Sequence, residues 1–566
     1  MRKYILPGEV PEEKLGDLVE RTHSIAAARL LYNRGFRSYE EFETFCKGSD
    51  AINHEDLHDL SSALKLLGTF VKSGEKICVY GDYDVDGMVA GSILWRFLAK
   101  QLSLDATVYI PNRHEEGYGL NNDALQDIYD KGSRLVITVD CGIRDFELIK
   151  EWQQKGLQFI VTDHHQPGES IPECPVVHPL YPDHEAKNKY TSGSVVAWKF
   201  IRYLETEMGK DHSFSDSVID LVGLSLITDM MPLRGENRLI LQQALLKAKS
   251  GASLAVKLIL QANNVKIEDI SAYHFGFVVG PRLNASGRVG DAYQSLRLLS
   301  TDKYEFALEL IKTIEETNIR RQEIMKHTMY AADDNKKIVN NGILIAYHEE
   351  WDDGVIGLVA GRLMNKYDMP TIVMTKERAT GLMKGSARSI NNLNITEVLE
   401  GFKEKLAKYG GHHAAAGFTT SVEAFEDFYS AFESYFTENY GSYVPENSRP
   451  VDLFITPAEA THGLLDVLKK LEPFGQENPA PIIIVHGFIE QVNLMGANAN
   501  HARITLETEG VRLNCVYFNC ESVIQKIKQG EEIAFIGKLK EDNYNGRNSL
   551  QFIVDDIFEP RHKSIQ

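Results

Sequence analysis

Lys76-Ile-Cys-Val-Tyr80 runs straight into Gly81-Asp-Tyr-Asp-Val-Asp-Gly87, an apolar run ending in three acids at alternate positions. Two further runs repeat the arrangement. Leu135-Val-Ile-Thr-Val139 leads into Asp140-Cys-Gly142, and Phe159-Ile-Val-Thr162 into Asp163-His-His165. Short continuous apolar stretches separated by helix-length segments read as strands buried on both faces, the mark of a parallel sheet. In an open α/β sheet, ligands collect in the crevice beyond the carboxyl ends of such strands. Three strands therefore deliver carboxylates and imidazoles to one crevice, and that pattern points to metal.

The candidate ligands follow in chain order. Asp82, Asp84 and Asp86 share a face only while their stretch stays extended, because side chains alternate along a strand. Asp140 arrives from the second strand end, and His164 and His165 from the third. Asp229 closes the helical run that begins at Asp220, just before Met230-Met231-Pro232. This donor set exceeds what one ion uses and suits a pair of divalent cations about 3.5–4 Å apart. Mixed imidazole and carboxylate donors favour Mn2+, with Mg2+ as the alternative. A lone Asp-x-Asp-x-Asp is ordinarily a turn, and a His-His pair ordinarily one packed and one exposed ring. The conjunction at three strand ends is what argues for metal.

A chain of 566 residues is too long for one core and suggests three or four domains. No apolar run approaches the roughly 20 residues of a bilayer span. The first residues lack the apolar core of a signal peptide, so a cytoplasmic protein is expected. Six scattered cysteines with no Cys-x-x-Cys pair exclude zinc-cluster spacing and fit reduced thiols. A net charge of −19 argues against a broad basic face for duplex DNA, though not against a narrow cationic channel.

Residues 1–70 read as a helical lead-in, and 71–300 as a doubly wound, mostly parallel α/β domain with helices such as 217–227. Between Thr301 and Ile338 there is neither proline nor glycine, and Phe306, Leu310 and Ile314 recur at helical spacing. Residues 301–340 are therefore expected as one long helix connecting two lobes across a groove. A second α/β domain, 341–445, has strands at Ile343–Tyr347 and Pro370–Met374 around a helix at Val355–Leu363. The proline-bearing segment Ser442–Pro450 is the linker candidate. Residues 446–566 read as an OB-like β-barrel, with strands near 482–485, 502–506, 513–518, 533–536 and 550–554 and a turn at Asn545-Gly546.

A two-metal site implies a phosphoester substrate, and several residues are placed to grip phosphate. Arg113 follows the strand run Ala106–Ile110 onto the same crevice edge. Arg282 and Arg288 bracket a Gly/Pro/Asn/Ser turn whose amides would form an anion nest. Ser386 and Arg388 lie in Gly385-Ser-Ala-Arg-Ser389, where the planar guanidinium suits bidentate phosphate binding. Gly410-Gly411 precedes His412, a donor after a close backbone approach. The barrel carries Phe488, Tyr517, Phe518 and Tyr544, either a stacking surface for single strands or core. From Val451 onward 11 Lys+Arg face 16 Asp+Glu, which argues against a strongly basic strand-binding face there.

Asp163-His164-His165, with the upstream acids and the separate Asp140 and Asp229, resembles the DHH phosphoesterase superfamily. Tyr80–Gly87, Ile110–Gly119 and Gly280–Arg288 resemble its RecJ branch, the bacterial single-strand-specific exonucleases, over roughly residues 60–560. Gly410-Gly-His-His-Ala-Ala-Ala-Gly-Phe418 resembles the associated DHHA1 domain. Superfamily members often carry a histidine four residues before the Asp-x-Asp, where this chain has Tyr80, so Asp84 and Asp86 are favoured over Asp82 as ligands. The resemblance implies a 5′→3′ exonuclease that releases 5′-mononucleotides from single-stranded DNA in recombination, mismatch and base-excision repair. It implies that Arg113, Arg288, Ser386, Arg388 and His412 contact the 5′ end and backbone. A monomer working with a helicase and a single-strand-binding protein is expected. The alternatives are a phosphodiesterase acting on short oligonucleotides or cyclic dinucleotides, and a scaffold without catalysis.

Overall fold

The computed structural model describes residues 3–48, 52–113, 115–184, 186–377, 380–421, 428–496, 498–542 and 549–558. Tyr544 and the Asn545-Gly546 turn lie outside the described residues. The chain divides into two compact units. One comprises residues 50–447 and 475–478, the other 1–49, 448–474 and 479–566.

The first unit contains the expected parallel sheet. Its strands, in spatial order, are Ala106–Tyr109, Lys76–Gly81, Ser133–Val139, Gln158–Thr162 and Val176–Val177, and every pairing is parallel. Successive side chains leave a strand on opposite faces. Ile77, Val79, Ile137 and Ile160 accordingly join one core with the helices Val85–Trp95 and Gly193–Glu207. Cys78, Tyr80, Val136, Phe159 and Val161 join another with Asn122–Asp130 and Phe146–Gln154. Each fully buried Val, Leu or Ile contributes about 1.5–3 kcal/mol, so register slips are costly. The carboxyl ends of all five strands stay aligned.

Helix Tyr304–Asn335 has 32 residues, or about 48 Å at 1.5 Å per residue. Its first half buries Ala307, Leu310, Ile311 and Ile314 in the core of the parallel sheet. Its second half buries Met325 and Ala332 against the next domain. Phe306, expected on the buried stripe, is 40% exposed and Ala307 takes the buried place, whereas Leu310 and Ile314 are buried as expected. The second domain is a mixed six-stranded sheet in which Ile343–Tyr347 and Thr371–Lys376 pair in parallel across helix Ile356–Tyr367.

In the other unit, strands Ile483–Met495, His501–Thr508, Val511–Tyr517, Ser549–Ile557 and Glu532–Asp542 close into a barrel. Closure comes from the pairing of the first with the last. Tyr517 is core, whereas Phe488 and Phe518 are about half exposed, at 51% and 52%. Two expectations are corrected here. The lead-in is not a body of its own over residues 1–70: helices Gly16–Thr22, Ile25–Asn33 and Tyr39–Lys47 bury Leu18, Leu30, Leu31 and Phe42 in the core of the barrel unit. Helix Leu60–Ser73 packs instead under the parallel sheet. Nor is 442–450 purely a linker, since Ser448–Pro450 pairs in parallel with Lys3–Ile5.

Candidate metal centre

The acids after the first strand are not extended. Asp82 follows the strand directly, Asp84 caps helix Val85–Trp95, and Asp86 lies in its first turn. Asp84 Oδ1 accepts the backbone N–H groups of Asp86 at 2.8 Å and Gly87 at 3.1 Å, as an N-cap should. Gly87 is required sterically, because a Cβ there would stand 2.5 Å from the Asp82 nitrogen. Both oxygens of Asp86 are anchored from far along the chain. They accept the N–H groups of Gly193 at 2.6 Å and Ser194 at 2.8 Å, plus the Ser225 hydroxyl. Gly193 opens its helix against the second strand end, where a Cβ would meet Asp140 Cβ at 2.6 Å. Asp140 itself has φ +60, a left-handed conformation costing on the order of 1–3 kcal/mol and found mainly at functional sites.

These elements bring all seven predicted ligands together. Three sets have ligand atoms within 4.8 Å of one another: Asp82, Asp84 and Asp140; Asp140, His164 and His165; and Asp86, His164 and Asp229. His164 Nε2 stands 3.1 Å from Asp140 Oδ1, 3.6 Å from Asp229 Oδ2 and 3.8 Å from Asp86 Oδ2. Asp82 Oδ1, Asp140 Oδ1, His164 Nε2 and Asp229 Oδ2 are buried with no hydrogen-bond partner among the described residues. Asp82 thus offers an orphaned oxygen, and the preference for Asp84 and Asp86 over it has no geometric support. Burial, followed by the neighbouring acids, pushes the carboxyls of Asp82, Asp140 and Asp229 well above their ordinary range, and raises that of Asp84. Orphaned donors of mixed oxygen and nitrogen type, crowded until they resist ionisation, are the chemistry that divalent cations satisfy.

Asp163 points the other way. Its Oδ1 accepts the N–H of His164 at 2.7 Å, the N–H of His165 at 3.1 Å and His165 Nδ1–H at 2.8 Å, while Oδ2 accepts Ile143 N–H at 3.0 Å. Burial opposes its ionisation, but these bonds outweigh it and hold the carboxyl below its ordinary range. The Nδ1 bond leaves Nε2 as the ligand atom of His165, as in carboxylate–histidine–metal triads. The sequence reading did not single out Asp163, although it ends a strand just as Asp140 does. His178, after the two-residue fifth strand, was also missed. It is fully buried and its pKa falls to about 4 through burial. Asp163→Ala is expected to weaken manganese affinity about 10–100-fold, measured by titrating metal against activity; unchanged affinity would show that His165 needs no orienting partner.

The phosphate candidates separate. Arg113 lies over the Tyr83 ring at 5.1 Å, with its Nε buried and unpartnered among the described residues. Arg288 donates to the Gly354 carbonyl at 3.2 Å, and burial and then Arg113 lower its pKa to about 10. Arg388 donates to Ser386 Oγ at 3.2 Å and to the Ala387 carbonyl at 2.8 Å. Gly357 lies so near that a Cβ there would stand 3.1 Å from Ser386 Oγ and 3.2 Å from Arg388 Nη2. His412 is exposed at a strand end, and its carbonyl accepts the Thr396 hydroxyl at 2.8 Å. Arg282 does not join them. Its guanidinium is committed to Glu315 at 2.7 Å, the Val278 carbonyl at 2.8 Å and Asn263. The expected nest is absent too, because Gly280–Val289 is helical, with proline where a helix tolerates it. Asn284 Oδ1 on that helix accepts Val85 N–H at 3.2 Å, and Gly287 packs under the Tyr83 carbonyl.

Comparison with known proteins places the same three segments. Residues 76–226 match the DHH family N-terminal domain, 340–438 the DHHA1 domain and 451–556 the RecJ OB domain. The single-stranded-DNA-specific exonuclease RecJ of Bacillus subtilis strain 168 is 33% identical over 558 residues, covering 96% of this chain and 69% of that protein. The crystal structure of RecJ in complex with Mn2+ from Thermus thermophilus superposes with TM-score 0.83 at 26% identity, covering 99% of this chain and 80% of that one. The Mg2+ complex of RecJ from the same organism gives 0.76 at 25%, covering 99% and 79%.

Proposed function

The chain belongs to the RecJ family of single-stranded-DNA-specific exonucleases, and from that premise we propose that it hydrolyses single-stranded DNA from the 5′ end. It releases 5′-mononucleotides and uses two divalent cations, Mn2+ or in its place Mg2+. One observation carries the reading: four buried polar atoms on Asp82, Asp140, His164 and Asp229 converge on one crevice without a partner among the described residues. Asp82, Asp84, Asp86, Asp140, His164, His165 and Asp229 would hold the ions. Bound as a pair, such ions supply Lewis acidity and a strong oxygen nucleophile at neutral pH.

The chain's own residues do the rest. Two helix-start amides fix the Asp86 carboxylate, so its position costs no reorganisation during turnover. Asp163 sets the tautomer of His165. The guanidinium groups of Arg288 and Arg388 and the hydroxyl of Ser386 offset charge on phosphoryl oxygens at and beyond the reacting linkage. Arg113 lies over the ring of Tyr83, between two metal candidates in the chain, and His412 is exposed at its strand end. Arg388→Ala is expected to raise KM for a 5′-phosphorylated strand about 10–100-fold, the scale of a charge-assisted hydrogen bond. Lysine should not restore it, lacking the planar fork. The same KM rise for a 5′-hydroxyl strand would remove Arg388 from terminal recognition.

No helix among the described residues is long and apolar enough to cross a membrane. The proposed setting is the cytoplasm, beside a helicase and a single-strand-binding protein, during recombination and repair. The test is label release. With manganese, a 5′-labelled single strand should lose label first, while a 3′-labelled strand, a blunt duplex and a short RNA lag. Preference for the RNA or a cyclic dinucleotide would move the chain to another DHH activity, and hydrolysis of nothing would make it a scaffold.

A further inference from the structure

Tyr83 separates Asp82 from Asp84, and it forms one wall of a pocket of about 250 Å3. Tyr109, Asn112, Arg113, Asp291 and Tyr293 supply others. Pockets for whole drug-sized ligands run to about 300–1,000 Å3, so this one has room for a single planar ring system and not for a stretch of polymer.

Its walls have matching chemistry. One face of Tyr109 is taken by Tyr80, stacked at 5.4 Å, and its hydroxyl is committed to Glu116 at 2.7 Å. Tyr109 therefore acts as a fixed aromatic wall. The Tyr293 hydroxyl accepts the Ile110 N–H at 3.1 Å, which leaves its own proton to donate. Asp291 uses one carboxylate oxygen to accept Tyr293 N–H at 2.9 Å as it caps helix Ala292–Ser300. Arg113 lies across Tyr83 with its Nε buried and unpartnered among the described residues. The pocket thus presents aromatic faces, a stacked cation and a few edge-on polar groups. Every nucleobase has a π-face that such a surface accepts, whatever its sequence. The setting is as specific as the lining. Gly287, the chain neighbour of Arg288, lines the pocket together with Arg113, and Tyr83 in its wall stands in the chain between the metal candidates Asp82 and Asp84.

Resting on the exonuclease reading, we infer that this pocket receives the base of the nucleotide being released. The terminal unit is then held by its base as well as by its phosphates, and a base is required for fast release although no particular base is. The test uses the full-length protein with manganese and two 5′-phosphorylated strands, identical except that one carries an abasic tetrahydrofuran residue at the 5′ end. First release should be about 10-fold or more faster, in kcat/KM, from the natural strand. Tyr293→Ala should collapse the ratio of natural to abasic rates toward one. Because Tyr293 also packs on the core, Asn112→Trp, which fills the pocket from an exposed position, provides a second collapse without a cavity. Equal rates in the parent protein, or variants that slow both strands by one factor, overturn the inference while leaving the nuclease intact. No release from either strand removes the nuclease reading itself.

Discussion

Asp140→Ala is expected to abolish manganese-dependent hydrolysis and, at the same time, to make the metal-free protein more heat-stable. Loss of a group behind the ligands typically costs about 10–100-fold. Removing Asp140, which belongs to two of the three ligand sets and carries an orphaned oxygen, should exceed that, on the order of 10³-fold. The stability change has a different origin. Asp140 is buried beside Asp82, Asp84, Asp86 and Asp229, and burial and then those neighbours push its carboxyl upward. Without metal its carboxyl adds repulsion among these acids, which alanine removes, although alanine tolerates the φ +60 backbone less well than aspartate and offsets part of the gain. The two measurements are turnover with saturating manganese and a thermal melt in chelator. Near-parental turnover would refute the ligand assignment, and a lower metal-free melting point would show that the acids do not repel as their crowding demands.

The second expectation concerns pH and metal together. Asp82, Asp84, Asp140 and Asp229 all have carboxyl pKa values raised in the folded protein. The native state therefore binds protons that the unfolded chain has released, so stability must fall as pH rises above the ordinary carboxylate range near 3.9. The depressed imidazoles of His164 and His178, which lose stability as pH falls below neutrality, oppose these four carboxyls but are fewer, and Asp163 also has the opposite sign. Its depressed pKa contributes stability that is lost only in stronger acid. In chelator, then, the melting point should climb as pH is lowered from 8 to 5, and turn over below that. Manganese at about 1,000 times its dissociation constant should add about 4 kcal/mol and flatten the slope, because ions replace the protons. A metal-free melting point that climbs steadily toward pH 8, or a melt indifferent to manganese, would defeat this account. Asp140→Ala should itself flatten the metal-free slope in part.

What the sequence disclosed and withheld follows from the range of the interactions. The strand ends were legible because burial on both faces writes a continuous apolar run, and the residue after the run must face the crevice. All seven metal candidates rest on that local signal or on the end of an apolar helix. The anchoring of Asp86 by Gly193 and Ser194 has no local signature, since its partners lie more than one hundred residues away. Two glycines and a proline made Gly280–Val289 look like a turn, yet the proline sits at the helix start and Gly287 is there for the Tyr83 carbonyl. Once that segment is helical, Arg282 is carried onto the face that meets Glu315, and its phosphate role disappears. His178 follows a strand of only two residues, too short to register as a run.

The strand pair Lys3–Ile5 with Ser448–Pro450 joins positions about 445 residues apart. During synthesis the amino-terminal helices leave the ribosome without their apolar partners, because the barrel that covers them is translated more than 400 residues later. Domains generally fold as units while the chain is still growing, so residues 50–447 can mature first while Leu18, Leu30 and Phe42 stay solvated. A shortened version ending near residue 447 would strand those side chains in water. Deleting residues 1–49 together with the barrel should yield a more tractable nuclease fragment than deleting the barrel alone.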